Sequence, residues 1–207
     1  MWSLEDAQRM MIHVADRMVA SKDLLTQADK AVGDGDHGIG MARGFEAVRK
    51  NLEARPAAGL DDLMRSVGTT LLTTVGGAAG AIFGTFFKGG ARNLAGRTAF
   101  DSACLADFLG DGLQAVIDRG KARPGDKTMV DALAPAADAA RRHAADPLPQ
   151  ALAAAAAAAS QGADATRSLV ASVGKAKTLG PRSLGHVDPG ALSVSILLQA
   201  LSEQTQA

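Results

Sequence analysis

The chain has 207 residues, and its 22 Lys+Arg balance its 22 Asp+Glu to a formal net charge of zero. That neutrality, with 6 Phe, 1 Trp and no Tyr, lacks both the cationic surplus and the stacking rings of a nucleic-acid binder. At 47% hydrophobic and 21% charged it is neither disordered nor a coiled coil, and the length suits a single domain over 1–207 with a sizeable core.

Met1 to Gln8 carries Glu5 and Asp6 and no apolar run, so no secretory leader is read there. Ala7, Met11, Val14, Met18 and Leu25 then form one apolar stripe at helical spacing. Met41, Phe45, Val48 and Leu52 repeat it, with Arg43, Glu46, Arg49, Lys50 and Glu53 on the opposite, polar face. Leu60, Met64, Val67 and Leu71 make a third stripe. The apolar stretch from Val75 to Phe87 is 13 residues with four glycines, short of the ~20 that a membrane span needs. Asp101 precedes a further helix carrying Leu105, Leu109, Leu113 and Val116. Cys104 is the only cysteine, which excludes an internal disulfide and a Cys-rich zinc site and fits a reducing, cytoplasmic compartment.

Thr128 and Asp131 have capping-box-like spacing ahead of Leu133, and Pro135 should kink that helix or delay its start. Leu148 to Val170 is Ala-rich and strongly helical, with small side chains for close packing. Asp188-Pro189 reads as an N-cap followed by proline at the first helical position, leading into Val194, Leu197, Leu198 and Leu201. No alternating strand pattern competes. About eight helices around one core are predicted, an all-α antiparallel bundle. Three glycine-rich connections, Gly33 to Gly40, Gly76 to Gly90 and Gly174 to Gly190, interrupt the helices. Connections in a bundle collect at its two ends, so several can meet at one.

The segment from Asp29 to Gly38, Asp-Lys-Ala-Val-Gly-Asp-Gly-Asp-His-Gly, places three carboxylates within eight residues. Carboxylates this close repel unless a cation offsets them, and oxygen ligands on a short turn suit Mg²⁺. A solvated turn is the plainer alternative, since Asp and Gly are ordinary turn residues. Gly33-x-Gly35-x-x-Gly38 formally matches a dinucleotide fingerprint, but a helix precedes it and Asp34 and Asp36 would face the pyrophosphate. A calcium EF-hand also fails, because its twelfth position is Phe45.

Gly120 to Thr128 is a near-miss to a P-loop, spoiled by Asp126 and by the lack of a leading strand. Gly125, Thr128 and the helix start after them still offer N–H donors to a nucleotide, unless this is an ordinary capped junction. Gly76, Gly80 and Gly84 are either a flat packing face or the approach to a helix N-terminus where Gly77, Ala78 and Ala79 meet phosphate. Lys175, Lys177, Arg182, His186 and Asp188 share one loop, whose cations suit phosphate, although Lys177 reads as an ordinary surface lysine. With no Ser–His–acid pattern in sight, His37 and His186 are expected in hydrogen-bonding roles.

Four blocks stand in order: Asp29 to Gly38, Gly76 to Phe87, Gly125 to Met129, and Gly185-His186-Val187-Asp188-Pro189-Gly190-Ala191. Together they closely resemble the L subunit of dihydroxyacetone kinases, the nucleotide-binding half of that phosphotransferase. The resemblance covers essentially the whole chain and implies an eight-helix antiparallel barrel with nucleotide at one end. It implies that Asp29, Asp34 and Asp36 bind Mg²⁺, two ions in the family, against the phosphates of ADP or ATP. It puts His37, Gly38, Ile39, Gly40, Gly77, Ala78 and Ala79 on the nucleotide and gives Gly120 and Met129 the base and ribose, with Thr128 a further nucleotide contact. Lys175 and the turn Val187, Asp188, Pro189 complete the pocket, with Lys175 and Arg182 as the candidate catalytic cations.

A separate K subunit would hold the hydroxyketone covalently, so no nucleophile is needed here. A phosphocarrier M subunit and a homodimer are further implied partners. The family pattern carries Asn at Gly40, Ser at Ala79 and Arg at Lys175, so all three departures fall on phosphate handling. An ATP-dependent triose or tetrulose kinase, or a docking module that has lost catalysis, are the alternative readings.

Overall fold

The computed structural model describes residues 1–203, so the last four positions of the predicted 1–207 unit lie outside the described residues. It is all-α: the only strand-like pairing among the described residues is one bridge between Trp2 and Phe100. Among the described residues nine α-helices follow in order: α1 Leu4–Ala20, α2 Lys22–Val32, α3 His37–Ala54, α4 Leu60–Thr74, α5 Gly77–Gly90, α6 Ser102–Gly120, α7 Val130–Arg142, α8 Leu148–Ala165 and α9 Pro189–Glu203. Eight of them close a ring. Helices α3 to α9 pack each on the next, α9 returns to α1, and α1 lies against α3, while α2 flanks α3 and α9.

The count differs from about eight because the first predicted stripe is two helices. Ser21 ends α1: its N–H and its hydroxyl both bond the Arg17 carbonyl, at 3.1 and 2.8 Å. A hydroxyl that bonds back to the turn before it competes with the helix. Leu25 is nevertheless buried, so the stripe continues across the break.

The core is the set of inward stripes. Met41, Phe45 and Val48 of α3 and Leu71 of α4 are fully buried. Phe86, Phe87 and Phe108 interlock with ring centroids 5.0–5.7 Å apart, within the favoured range for aromatic pairs. The Ala-rich helix ends at Ala165, short of the predicted Val170, where the Thr166 hydroxyl turns back to the Ala163 carbonyl. Its Ala151, Ala155 and Ala159 are fully buried, which lets α8 approach α7 closely. Pro135 lies inside α7, so the carbonyl of Asp131 loses its helical donor. Gly162 of α8 packs against that carbonyl so tightly that a methyl group there would overlap it.

Candidate functional site

The starts of α3, α5, α7 and α9 gather at one end of the ring, as successive antiparallel helices require. Lys175 reaches Asp34, His37 reaches Ser193, and Lys127 reaches the His186 carbonyl, so the loops before these helices meet there. All three glycine-rich connections contribute, together with the 121–129 segment.

Asp29 is the buried member of the acidic trio, at 6% exposure, on the last turn of α2. One carboxylate oxygen accepts the His37 N–H at 3.1 Å, which ties α2 to the start of α3. Gly33 is needed beside it, because any Cβ there would strike the Asp29 carboxylate. Gly35 is left-handed, with φ of 80°, and turns the chain so that Asp34 and Asp36 return towards Asp29. Ligand atoms of Asp29, Asp34 and Asp36 all lie within 4.8 Å of one another.

A cation already stands at this cluster. The Lys175 ammonium donates to Asp34 at 2.5 Å and lies 3.5 Å from Asp36. The hydrogen bond from Lys175 holds the Asp34 carboxyl below the usual range, and that same bond holds Lys175 above its own. The donor set is all oxygen, clustered and anionic, and it selects a positive charge. Those properties fit Mg²⁺.

Beside the acids lies a cleft of about 350 Å³. Asp29, Asp36, His37, Ile39, Gly40 and Lys175 line one side, and Arg43, Val75, Gly76, Gly77, Ala78 and Ala79 the other. The glycine-rich segment is a packing face along part of its length and a helix start at its head. Gly80 and Gly84 pack against α4, where a Cβ on Gly84 would lie 2.8 Å from the Gly68 carbonyl, while Gly77 to Ala79 open α5 onto the cleft. First-turn N–H groups have no acceptor in their own helix, so α5 offers donors and a positive dipole end there.

His37 hydrogen-bonds Ser193 at 2.8 Å, the structural role expected for it, and burial pulls its ring below the usual histidine range. Gly38 faces α2, not the cleft: a side chain there would overlap Thr26 and the Lys22 carbonyl.

Several expected residues stand apart from the cleft. Arg182 is exposed on the 3₁₀ stretch Lys175–Ser183 and does not line it. Gly120 closes α6, 3.5 Å short of Ile82 when given a Cβ, and Met129 and Val187 are buried among the core residues. Nor do the Gly125 and Thr128 N–H groups stand ready for a nucleotide. Both are bound by the Asp131 carboxylate, at 2.5 and 2.7 Å. The capped junction is the correct reading there.

Asp188 caps α9 as expected, accepting the Ala191 N–H at 2.7 Å. Burial pushes its carboxyl up from 3.8 to about 7, and Asp131 adds to the rise against Lys127 and the Ala191 and Gly190 N–H groups. The folded chain keeps this proton up to about pH 7 while the unfolded chain releases it near 3.8, so the carboxyl's contribution to stability falls between those values. Asp188→Asn keeps a capping side chain and cannot titrate. It should gain on the order of 1–4 kcal/mol over wild type as pH rises from about 4 to about 8, read from urea unfolding at several pH values. A difference that stays flat with pH would refute the shift.

Arg43 escaped the sequence reading as a residue of the site. Arg43 sits on the charged face of the α3 stripe and looked like ordinary solvated surface; only the adjacency of α4's end shows otherwise.

Residues 31–203 match the family model described as DAK2 domain. The ADP-binding subunit of the PEP-dependent dihydroxyacetone kinase of Escherichia coli is 40% identical over 90% of each chain. An L-erythrulose kinase of Pectobacterium atrosepticum is 37% identical over 90% of this chain but 32% of its own. The solved dihydroxyacetone kinase of C. freundii in complex with AMP-PNP and Mg²⁺ superposes with a TM-score of 0.76 at 27% identity, over 95% of this chain. This chain spans about a third of that kinase, 33% of its length.

Proposed function

Because the chain belongs to the DAK2 domain family, we propose that it is the nucleotide- and Mg²⁺-binding subunit of a dihydroxyacetone kinase. The observation that carries the reading is the Asp29–Asp34–Asp36 cluster set beside a cleft whose far wall is the start of α5. The relatives named as ADP-binding subunits support it, as does the fold shared with a kinase solved with AMP-PNP and Mg²⁺.

In this reading the three aspartates hold Mg²⁺, two ions by family resemblance. When bound, the metal neutralises phosphate oxygens and stabilises charge on the transferring group. The N–H groups of Gly77, Ala78 and Ala79 receive phosphate oxygens at the head of α5. Lys175, already across the cleft mouth, adds a positive charge beside them. His37 keeps α3 and α9 in register through Ser193, while Ile39 and Gly40, which line the cleft, meet the nucleotide at the first turn of α3, and Gly38 seats that turn against α2. By family resemblance Gly120 and Met129, which stand outside the cleft, border the base and ribose beyond it, and Thr128, whose N–H is taken by Asp131, meets the nucleotide only through its side chain. Val187, Asp188 and Pro189 close that end. Arg182, exposed and outside the cleft, leaves the phosphate charge to Lys175. The attacking hydroxyl belongs to a ketose held covalently on a K subunit, so this chain needs no nucleophile. ADP stays bound and is rephosphorylated by a phosphocarrier of the M type.

Calorimetric titration tests this. ADP should bind with Mg²⁺ present and lose at least about tenfold in affinity with EDTA. ADP binding that is indifferent to Mg²⁺, or absent altogether, sinks the reading. Native mass spectrometry separates the modes: retained ADP marks the phosphoprotein-coupled kinase, and an empty chain marks the ATP-exchanging triose or tetrulose kinases.

A further inference from the structure

The head of α5 is a turn that its own side chains do not hold. Gly76 precedes the helix at φ 82° and Gly77 follows at φ 57°, and no side chain caps the N-terminus. Two adjacent left-handed glycines are conformationally loose in a free chain. The N–H groups of Gly77 to Ala79 are nonetheless needed in one direction if they are to meet phosphate. The first helical bond, Gly80 N–H to the Gly76 carbonyl at 3.1 Å, lies beyond them.

The restraint comes from α3. Arg43 donates through Nε to the Thr74 carbonyl at 2.7 Å and through Nη2 to the Val75 carbonyl at 2.6 Å. These are the final carbonyls of α4, immediately before Gly76. A guanidinium at a helix C-terminus satisfies orphan acceptors and the dipole together, and its rigid fork fixes two acceptors in one plane. Nη2 also lies 3.3 Å from where a Gly76 Cβ would stand, so it packs on the turn itself. From behind, Gly40 lets α3 close on the same point: a Cβ there would come 2.9 Å from the Val75 carbonyl.

We propose, resting on the nucleotide reading of the cleft, that Arg43 is a positioning residue for phosphate binding. It clamps the α4–α5 turn so that the α5 N–H groups are aimed before the nucleotide arrives. Such preorganisation removes an ordering cost from binding. The clamp is distinct from a charge effect. A lysine at 43 would keep the charge but could not span both carbonyls as a fork.

The test uses the full chain with Arg43→Lys and Arg43→Ala, both good helix formers at an exposed position. Both variants should bind MgADP about tenfold more weakly, with adenosine affinity held within about twofold of wild type. Amide exchange over residues 74–80, without nucleotide, should quicken at least about tenfold in both. Wild-type MgADP affinity in Arg43→Lys would overturn the clamp in favour of simple charge. Unchanged exchange in Arg43→Ala would overturn it outright, as would an equal loss for adenosine. A wild-type chain that binds no MgADP overturns the nucleotide reading itself, and that failure shows in the wild-type titration, not in the variants.

Discussion

Asp34→Asn combined with Asp36→Asn should weaken MgADP binding by about 100-fold or more, equivalent to about 2.7 kcal/mol, while the melting temperature holds or rises slightly. The two halves of this expectation have different causes. Both side chains are more than half exposed, at 54% and 71%, so neither supports the core. Without a divalent ion, the carboxylates are offset chiefly by Lys175, and an ion pair this exposed contributes little to stability. Their mutual repulsion is relieved in the amide variant. In the proposed site they are two of three carboxylates whose oxygens lie within 4.8 Å and would ligate a divalent ion, and amides would replace them without charge. Asp29 makes a poorer probe. It is buried and bonds the His37 N–H, so its replacement disturbs the α2–α3 junction as well as the ligand set. Calorimetry with and without Mg²⁺, beside a thermal melt, separates the two halves. If the double variant binds MgADP as tightly as wild type, the three aspartates are only a solvated turn.

The helices were legible because their inward faces repeat at 3.6 residues, and Met41, Phe45, Leu71 and Leu198 lie where that period puts them. Ser21 was not legible, because a single serine inside a continuing stripe breaks the helix only through a local bond to Arg17. The acids were legible because clustering within eight residues is itself unusual. The donors at Gly125 and Thr128 misled: sequence shows that an N–H exists at a loop, but not that Asp131 has already taken it. Arg43 and Lys127 were missed for a shared reason. Each acts on backbone carbonyls distant in sequence, at Thr74 and Val75 or at Thr166 and His186. Periodicity carries no information about which carbonyls a folded loop presents.

Lys127 yields the second large effect: Lys127→Met should lower the melting temperature by about 5–10 °C. The side chain is 2% exposed, and its ammonium donates to the Thr166 and His186 carbonyls at 2.5 Å each. Burial pulls the ammonium below the ordinary lysine range, and Asp188 and Asp131 push back. One donor-only group thereby ties the end of α8 to the residue two before the α9 cap. Methionine fills similar volume but leaves both carbonyls without this donor, at about 1–3 kcal/mol for each one that stays buried. Backbone strain is a competing explanation for any change here, since Lys127 is left-handed at φ 61°. Lys127→Gly resolves it, because glycine accepts that φ freely but carries no ammonium. If the carbonyl bonds dominate, both variants melt early, and amide exchange quickens over 166–188 in each. If strain dominates, Lys127→Gly melts at or above wild type. That second result would leave the Asp188-Pro189 turn held by its own Thr166 contact, 2.9 Å from the Asp188 N–H, with no help from the buried lysine.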